Sequence, residues 1–485
     1  MKFIIVHILL ILFSFQEVLA QSSKLEPSWS LPVVEIETEN HDSILDKEHY
    51  VPAIFKLLKN KGDTAEVLAL GIKGRGNSTW KMDKKPYKLK FEKKIDLTGG
   101  GKSKHYALLC FADGQYAYWD TLVGFELSRR IGLSWTPTMI PVELILNGDY
   151  QGLYFIVENI RVEKNRVNIV EQKNGEEAEN AVTGGWLLEI DNTIEENQIY
   201  IYDKENKVIR FTYHSPDSLS QSQYRYLESY LNKVNKAVMT DDYSSTEWES
   251  YIDMEELTKF YIIQEVMDNP EGFAGSCWLS KDRGEDTKIK FGPVWDLGQS
   301  FVWRGEPDFI TNVVILGMRY KQRWLTELLN FPRFQNSIRY HWYTFKDLTD
   351  VNDLIESNVE VLKDACIYDH KRWPQYNDTF TEESANNFLE RYLLKVRFLK
   401  EQWNETTKVN KNKSQETKIW AHDNVLSFIG NSLVDDVKVV QLNGIISSLS
   451  KLGKNSYSLM NIKNIACILY TIDGVQYSRR VLIEN

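Results

Sequence analysis

A glycine-rich segment and the strand predicted after it contain residues suited to phosphate chemistry. The side chains of Arg75 and Ser78 and the free amide of Gly76 could approach phosphate groups. The alternating pattern that follows places Lys88 and Lys90 on one face of a strand. Lysine at this position could neutralise nucleotide phosphates, and a solvated basic sheet edge is the alternative interpretation.

A second segment follows a predicted helix that ends near Asp268. Glu271 lies three residues after Asp268, and Ser276 lies five residues after Glu271. In protein kinases, the catalytic base and a magnesium-binding Asn have this spacing, because one loop aims a carboxylate at the acceptor hydroxyl and an oxygen at the metal. The spacing makes Glu271 a candidate proton acceptor and Ser276 a candidate metal ligand.

The third segment, residues 288–298, has the pattern of a strand that leads Asp296 into a glycine turn. A carboxylate presented in this way can bind Mg²⁺. A turn-capping aspartate is the alternative interpretation.

Three further carboxylates are weaker candidates for the same site. Glu158 follows a strand and could pair with Lys88, whereas Glu189 and Asp191 could belong to a hinge between two lobes. Carboxylates of strand-end turns explain all three equally well.

Composition excludes several classes of protein. The net charge of −10 argues against a nucleic-acid binder, which needs a clustered basic face. The four cysteines form no C-x-x-C pair and the eight histidines no H-E-x-x-H motif, so zinc and thiol redox sites are not indicated.

The N-terminus has the pattern of a secretory signal peptide over residues 1–20. Lys2 precedes an apolar run that is too short to cross a bilayer, and Ala20 ends a small-residue cleavage site. We therefore expect an exported protein, in the periplasm, at the cell surface or outside the cell, with no transmembrane segment in its mature chain.

The pattern of apolar residues changes along the chain. Short alternating runs dominate 33–213, with a hairpin signal at Asn147-Gly148, and helical spacing dominates after about Asp217. Asp253 and Glu256 suggest the capped start of one helix.

A last long helix is predicted near 383–403, and a polar linker follows it at 406–423. Its predicted apolar face contains Leu389, Leu393, Val396, Leu399 and Trp403. Residues 424–485 predict a small all-β domain that resembles secretion-sorting domains.

Several long segments in a fixed order resemble the spore coat protein H (CotH) family of secreted atypical protein kinases, over a domain at 33–405. They include Arg75-Gly-Asn-Ser-Thr, Lys85-Pro-Tyr-Lys-Leu-Lys-Phe, Asn147-Gly-Asp-Tyr-Gln-Gly-Leu-Tyr, Gly184-Gly-Trp-Leu-Leu-Glu-Ile-Asp and Phe291-Gly-Pro-Val-Trp-Asp. The resemblance implies an α+β, protein-kinase-like two-lobed fold, with a β-rich N-terminal half, a helical C-terminal half and the small C-terminal all-β domain.

The resemblance also implies ATP and Mg²⁺ or Mn²⁺ as cofactors, a phosphate-binding lysine at Lys88 and a metal aspartate at Asp296. The sequence departs from the family pattern at Glu271, where the family usually has Asp, at Ser276, where it has Asn, and at Gly298, where many relatives have a second Asp. Two functions follow as hypotheses. One is an exported kinase that phosphorylates Ser or Thr of a secreted or surface protein, and the other is a catalytically weak or silent surface or coat-assembly binding protein.

Overall fold

A computed structural model gives the structure of the chain at residues 25–112, 114, 116–301, 323–376, 379–404, 418–422, 425–429, 434–440, 446–459, 464–472 and 475–483. The predicted signal peptide and residues 406–417 of the predicted linker lie outside the described residues. The chain divides into two compact units, Met1–Val396 and Arg397–Asn485.

In the described part of the first unit, seven strands form a closed barrel. They are β1 (Val33–Thr38), β2 (Val51–Leu58), β3 (Leu68–Gly74), β4 (Tyr87–Ile95), β5 (Ser103–Leu109), β6 (Met139–Leu146) and β7 (Asp149–Glu158). Their order is β1-β2-β3-β4-β5-β7-β6, and parallel pairing of β1 with β6 closes the barrel. The predicted hairpin joins β6 to β7 through Asn147 and Gly148, both with positive φ. Closure gives every strand two neighbours and removes exposed edges.

Strand β4 divides its side chains between the two faces of the barrel wall. Tyr87, Leu89 and Phe91 belong to the apolar core inside the barrel. Lys88 and Lys90 alternate with them and therefore lie on the outer face.

A five-stranded sheet follows the barrel. Its strands are β8 (Trp186–Ile190), β9 (Gln198–Tyr202), β10 (Val208–Ser215), β11 (Cys277–Lys281) and β12 (Lys290–Phe291), in the order β12-β11-β8-β10-β9. The central strand β8 is buried throughout. Antiparallel pairing of β11 with β8 places Trp278 opposite Glu189.

Seven α-helices occur among the described residues. They are α1 (Ala117–Ile131), α2 (Gln221–Val238), α3 (Met254–Val266), α4 (Arg323–Leu328), α5 (Pro332–Phe345), α6 (Asn352–Arg372) and α7 (Glu382–Asn404). Helix α3 begins at the predicted cap, because the Asp253 carboxylate accepts a hydrogen bond from the amide of Glu256 at 3.1 Å. Within the described ranges, no helix has the length and apolar character of a membrane span.

The predicted two-lobed, protein-kinase-like fold is wrong. The first half closes into a barrel, and the second half is not a helical lobe, because β11 and β12 lie within it and complete a sheet with β8. The hinge between two lobes, inferred for Glu189 and Asp191, loses its basis with that fold. The error arose because pairing between strands far apart in sequence leaves no mark on local periodicity.

The buried face of α7 also differs from the predicted one. Leu393, predicted as buried, is 39% exposed. Val396 and Leu399 are buried as predicted. The helix also buries Tyr392 and Lys395, which the sequence pattern does not place on its apolar face.

Two four-stranded sheets occur in the described part of the second unit. Its strands are β13 (Lys418–His422), β14 (Val425–Ile429), β15 (Val434–Val440), β16 (Ile446–Ser448), β17 (Lys451–Gly453), β18 (Ser456–Ser458), β19 (Asn464–Ile472) and β20 (Val475–Ile483). The sheet orders are β13-β14-β18-β17 and β16-β15-β19-β20. Phe428, Tyr457 and Tyr470 belong to its apolar core. Strand β13 occupies the last part of the predicted linker.

Candidate functional site

Asp296 lies in the turn that follows β12. Its side chain is exposed to solvent. The Ser276 hydroxyl donates a hydrogen bond to Asp296 Oδ2 at 3.3 Å. Both residues have positive φ, 55° and 49°, which is uncommon for residues with a Cβ. Such backbone conformations persist where surrounding structure imposes them, often at functional sites.

The end of β8 brings two more carboxylates to this turn. Glu189 is hydrogen-bonded to Ser276 and lies 2.7 Å from His214 Nε2. Burial raises the pKa of Glu189, and the negative charge of Asp191 adds a smaller upward effect at both Glu189 and Asp296. No local pattern predicted that His214 would contact this cluster, because its strand, β10, lies next to β8 only in the folded sheet.

The glycine-rich segment reaches the same cluster from the barrel. The Arg75 guanidinium lies over the Trp295 ring, 5.5 Å from its centroid. Burial raises the pKa of Asp296, and the Ser276 hydrogen bond and the Arg75 charge oppose that rise. The amide of Asn77 donates to the Thr193 hydroxyl at 3.4 Å, so the loop also contacts the segment after Asp191.

Gly76 and Ser78 lie in this loop with Arg75. Gly76 has φ of 82°, and a Cβ there would lie 1.9 Å from Thr79 Oγ1. The close approach and the positive φ both require glycine. Ser78 is exposed and immediately precedes a short 3₁₀ turn.

Lys88 lies on the outer face of β4, directly opposite Lys73 of β3. Burial lowers its pKa to about 8, and the charges of Lys73, Arg75, Arg161 and Lys90 add to this effect. The charge of Arg75 thus lowers the pKa of both Lys88 and Asp296.

The structure separates Glu158 from Lys88. Glu158 has the same strand parity as the inward-facing residues of β7, whereas Lys88 faces outward. Its carboxylate accepts from the amide of Thr138 at 2.9 Å and lies 4.0 Å from Arg166. Glu158 is therefore a buried structural carboxylate at the barrel end, and the predicted Lys88 pair is not formed.

Glu271 lies on the turn between α3 and β11, and its side chain is exposed. Its carbonyl accepts hydrogen bonds from the amides of Ala274 and Gly275 at 2.8 and 2.9 Å. The turn brings Ser276 to Asp296 and presents the Glu271 carboxylate to solvent.

The base of this turn is fixed by a buried ionic cluster that the sequence pattern did not predict. Lys395 Nζ lies 2.8 Å from Glu265 and 3.0 Å from Asp268, and all three side chains are buried. Asp268 also has positive φ, 52°. The indication of this cluster in the sequence was Lys395 itself, which lies at helical spacing from Tyr392 and Leu399.

The oxygen donors at Asp296 fit a hard divalent cation. In the described part of the chain, no group of three or more His, Cys, Asp or Glu residues could hold a metal by itself. Mg²⁺ usually binds through one or two carboxylates together with water and substrate phosphates. Asp296 with the Ser276 hydroxyl is consistent with that mode, and Asp191 lies close enough to influence it electrostatically.

A cavity of about 690 Å³ lies apart from this cluster. Its lining residues come from 133–135, 166–169, 253–256, 280–288 and 290–293, and do not include Asp296, Ser276 or Lys88. The cluster around Asp296 therefore lies outside this cavity.

Two comparisons with known proteins bear on this site. The profile of the family described as CotH kinase protein matches residues 72–409. The match includes Arg75, Lys88, Glu271, Ser276 and Asp296. No curated protein is significantly similar to the chain.

Proposed function

Because the chain belongs to the CotH kinase protein family, we propose that it transfers the γ-phosphoryl group of ATP to a Ser or Thr hydroxyl of a secreted or surface protein. The observation that carries this proposal is the hydrogen bond from Ser276 to Asp296, with Arg75 near enough that its charge acts on the pKa of both Asp296 and Lys88. Positive charges next to a carboxylate with oxygen-donor neighbours suit a metal-bound polyphosphate.

Each residue has a role in this proposal. Lys88 and Arg75 bind phosphate oxygens, and the amide of Gly76 and the hydroxyl of Ser78 offer further donors. Asp296 and Ser276 would hold Mg²⁺ or Mn²⁺, which supplies charge neutralisation at the phosphates. Glu271 accepts the proton of the attacking hydroxyl while the bond from the γ-phosphorus to the bridging oxygen breaks.

The exposure of Glu271 supports its role, because a base in this reaction must reach the hydroxyl of another protein. Asp268 is the other carboxylate near this loop that could act as the base, but it is buried and paired with Lys395. Asp268 is therefore held in a structural contact.

A second candidate function is nucleotide-dependent binding without turnover. Ser276 offers a neutral hydroxyl where the family usually has Asn, and its hydrogen bond already uses one lone pair of Asp296. A site of this kind could bind a metal nucleotide and still position the acceptor hydroxyl too poorly for catalysis.

Incubation with γ-labelled ATP and Mn²⁺, followed by mass spectrometry of phosphosites, tests the proposal. We expect Asp296→Asn and Glu271→Gln to abolish transfer, with Glu271→Gln retaining nucleotide binding. Glu66→Gln, at an exposed glutamate of the loop between β2 and β3, is the matched control and should retain wild-type transfer.

Equal transfer by wild type and Glu271→Gln would remove Glu271 from the catalytic role. Nucleotide binding without transfer by the wild type, with transfer gained in Glu271→Asp/Ser276→Asn, would favour the second function.

A further inference from the structure

The outer face of the barrel next to the proposed phosphate site has an unusual concentration of positive charge. Strand register places Lys73 directly opposite Lys88, and Lys90 lies two residues further along β4 on the same face. Arg75 and Arg161 add their charges to this group. We call these five residues, Lys73, Arg75, Lys88, Lys90 and Arg161, the basic strip.

A tyrosine holds two lysines of the basic strip close together. Lys73 Nζ lies 4.9 Å and Lys90 Nζ 5.7 Å from the centroid of the Tyr50 ring. Lys73 also donates a hydrogen bond to the carbonyl of Glu48 at 3.3 Å. Contacts with an aromatic ring and a carbonyl orient these lysines without neutralising their charge.

The positive charge of the basic strip affects the pKa of a neighbouring histidine. Burial lowers the pKa of His105 to about 3, and the charges of Arg161, Lys88 and Lys90 lower it further. Glu163 opposes this effect at His105. However, Glu163 lies 3.3 Å from Lys94 and 3.7 Å from Arg166, so its charge is shared with cations outside the basic strip.

Like charges on directly opposite strand positions destabilise a sheet, so this arrangement favours a bound anion. The nucleotide proposed above accounts for Lys88 and Arg75, which lie towards Asp296. Lys90 lies further from the Arg75 loop, because β4 runs antiparallel to β3. The nucleotide site proposed above uses Lys88 and Arg75, so the other three cations of the basic strip have no assigned role in it.

We propose that Lys73, Lys90 and Arg161 bind an acidic segment of the protein acceptor, so that the phosphorylated Ser or Thr lies in a sequence rich in Asp and Glu. This inference rests on the proposed function. The exposed positions of Lys90 and Arg161 leave them accessible to another protein.

Binding of fluorescein-labelled peptides to the mature protein tests the inference without turnover. We expect a peptide of alternating Ser and Glu to bind more tightly than one of alternating Ser and Gln, and to lose affinity as salt is added. The double variant Lys90→Glu/Arg161→Glu should bind the acidic peptide about tenfold more weakly than the wild type does. It should bind a peptide of alternating Ser and Lys more tightly. The control Lys93→Glu changes an exposed lysine of the same strand and should alter affinity much less.

Equal affinity for the Glu and Gln peptides would overturn the inference, as would equal losses in the strip variant and the Lys93 control. Binding of inorganic polyphosphate, but not of the acidic peptide, through Lys90 and Arg161 would also overturn it. Transfer of labelled phosphoryl is measured separately. If the acidic peptide binds but no phosphoryl group is transferred, only the proposed kinase function is contradicted. If transfer occurs with no preference for the acidic peptide, only the proposed role of the basic strip is contradicted.

Discussion

Lys395 and Lys88 are both withdrawn from bulk water, and their surroundings are opposite. Lys395 is fully buried between Glu265 and Asp268, whose charges raise its pKa despite the opposing effect of burial. Lys88 is half-buried among other cations, and its pKa falls to about 8. The charge of Lys395 is compensated by carboxylates within the protein, whereas a bound anion would compensate the charge of Lys88.

The difference separates a structural ion pair from a candidate binding site. A buried charge with partners is destabilising when one partner is removed, because the remaining charge is left in a medium that solvates it poorly. A charge held without a counter-charge lowers stability until a ligand arrives, as is common where function competes with stability.

The largest expected effect is at Lys395. Lys395→Met leaves Glu265 and Asp268 buried without their cation, so the free energy of unfolding should fall by about 3–5 kcal/mol. Denaturant unfolding measures this change. Arg397→Met alters an exposed residue of the same helix and should leave stability nearly unchanged. A loss below 1 kcal/mol would mean that the cluster is not a structural ion pair.

The second prediction concerns the proposed metal site at Asp296. Mn²⁺ with ATP at 100 times its Kd should stabilise the wild type by about 2.7 kcal/mol. Asp296→Asn should remove this stabilisation, because it deletes the carboxylate charge with little change of shape. Thermal unfolding with and without ligand measures it, and Asp286→Asn, at an exposed aspartate, should behave like wild type. Retained stabilisation in Asp296→Asn would assign the metal to other residues.

The third prediction uses the pKa of Lys88. Phosphate binding requires the ammonium form, which is lost as pH rises through about 8. Nucleotide affinity should therefore fall about tenfold between pH 7 and pH 9. Lys88→Arg keeps its charge over this range and should bind with a flatter pH profile. Identical profiles for the two proteins would show that Lys88 does not control binding.

The smallest effect, with a sign opposite to that at Lys395, is the stability of Lys88→Met. The folded pKa of Lys88 lies below its ordinary value of 10.5. The folded state is therefore unaffected by Lys88 above pH 10.5, where the amine is neutral, and it loses stability as pH falls through about 8 and the amine becomes charged. At pH 7 the lysine is charged and repelled by its neighbours. Removing it should raise the free energy of unfolding by about 1 kcal/mol while weakening nucleotide binding. A destabilisation equal to that of Lys395→Met would erase the distinction between the two regions.

Local pattern determined several features of this protein. The hairpin at Asn147-Gly148, the start of α3 at Asp253 and the common face of Lys88 and Lys90 all depend on residues close together in the chain. The ordered segments within 33–405 also identified the family, which the profile match over residues 72–409 confirms. Asp296 was identified as a turn carboxylate because a strand and a glycine turn flank it in sequence.

Only the tertiary structure decided which distant residues meet. Closure of the barrel put Glu158 and Lys88 on opposite faces of its wall. Pairing of β8 with β11 brought Glu189 to Ser276, and helix packing buried Lys395 beside Asp268. Periodicity fixes the face of a strand or helix on which a residue lies, because it depends on backbone geometry alone. The partner of that face depends on long-range packing and charge compensation, which exist only once the chain is folded.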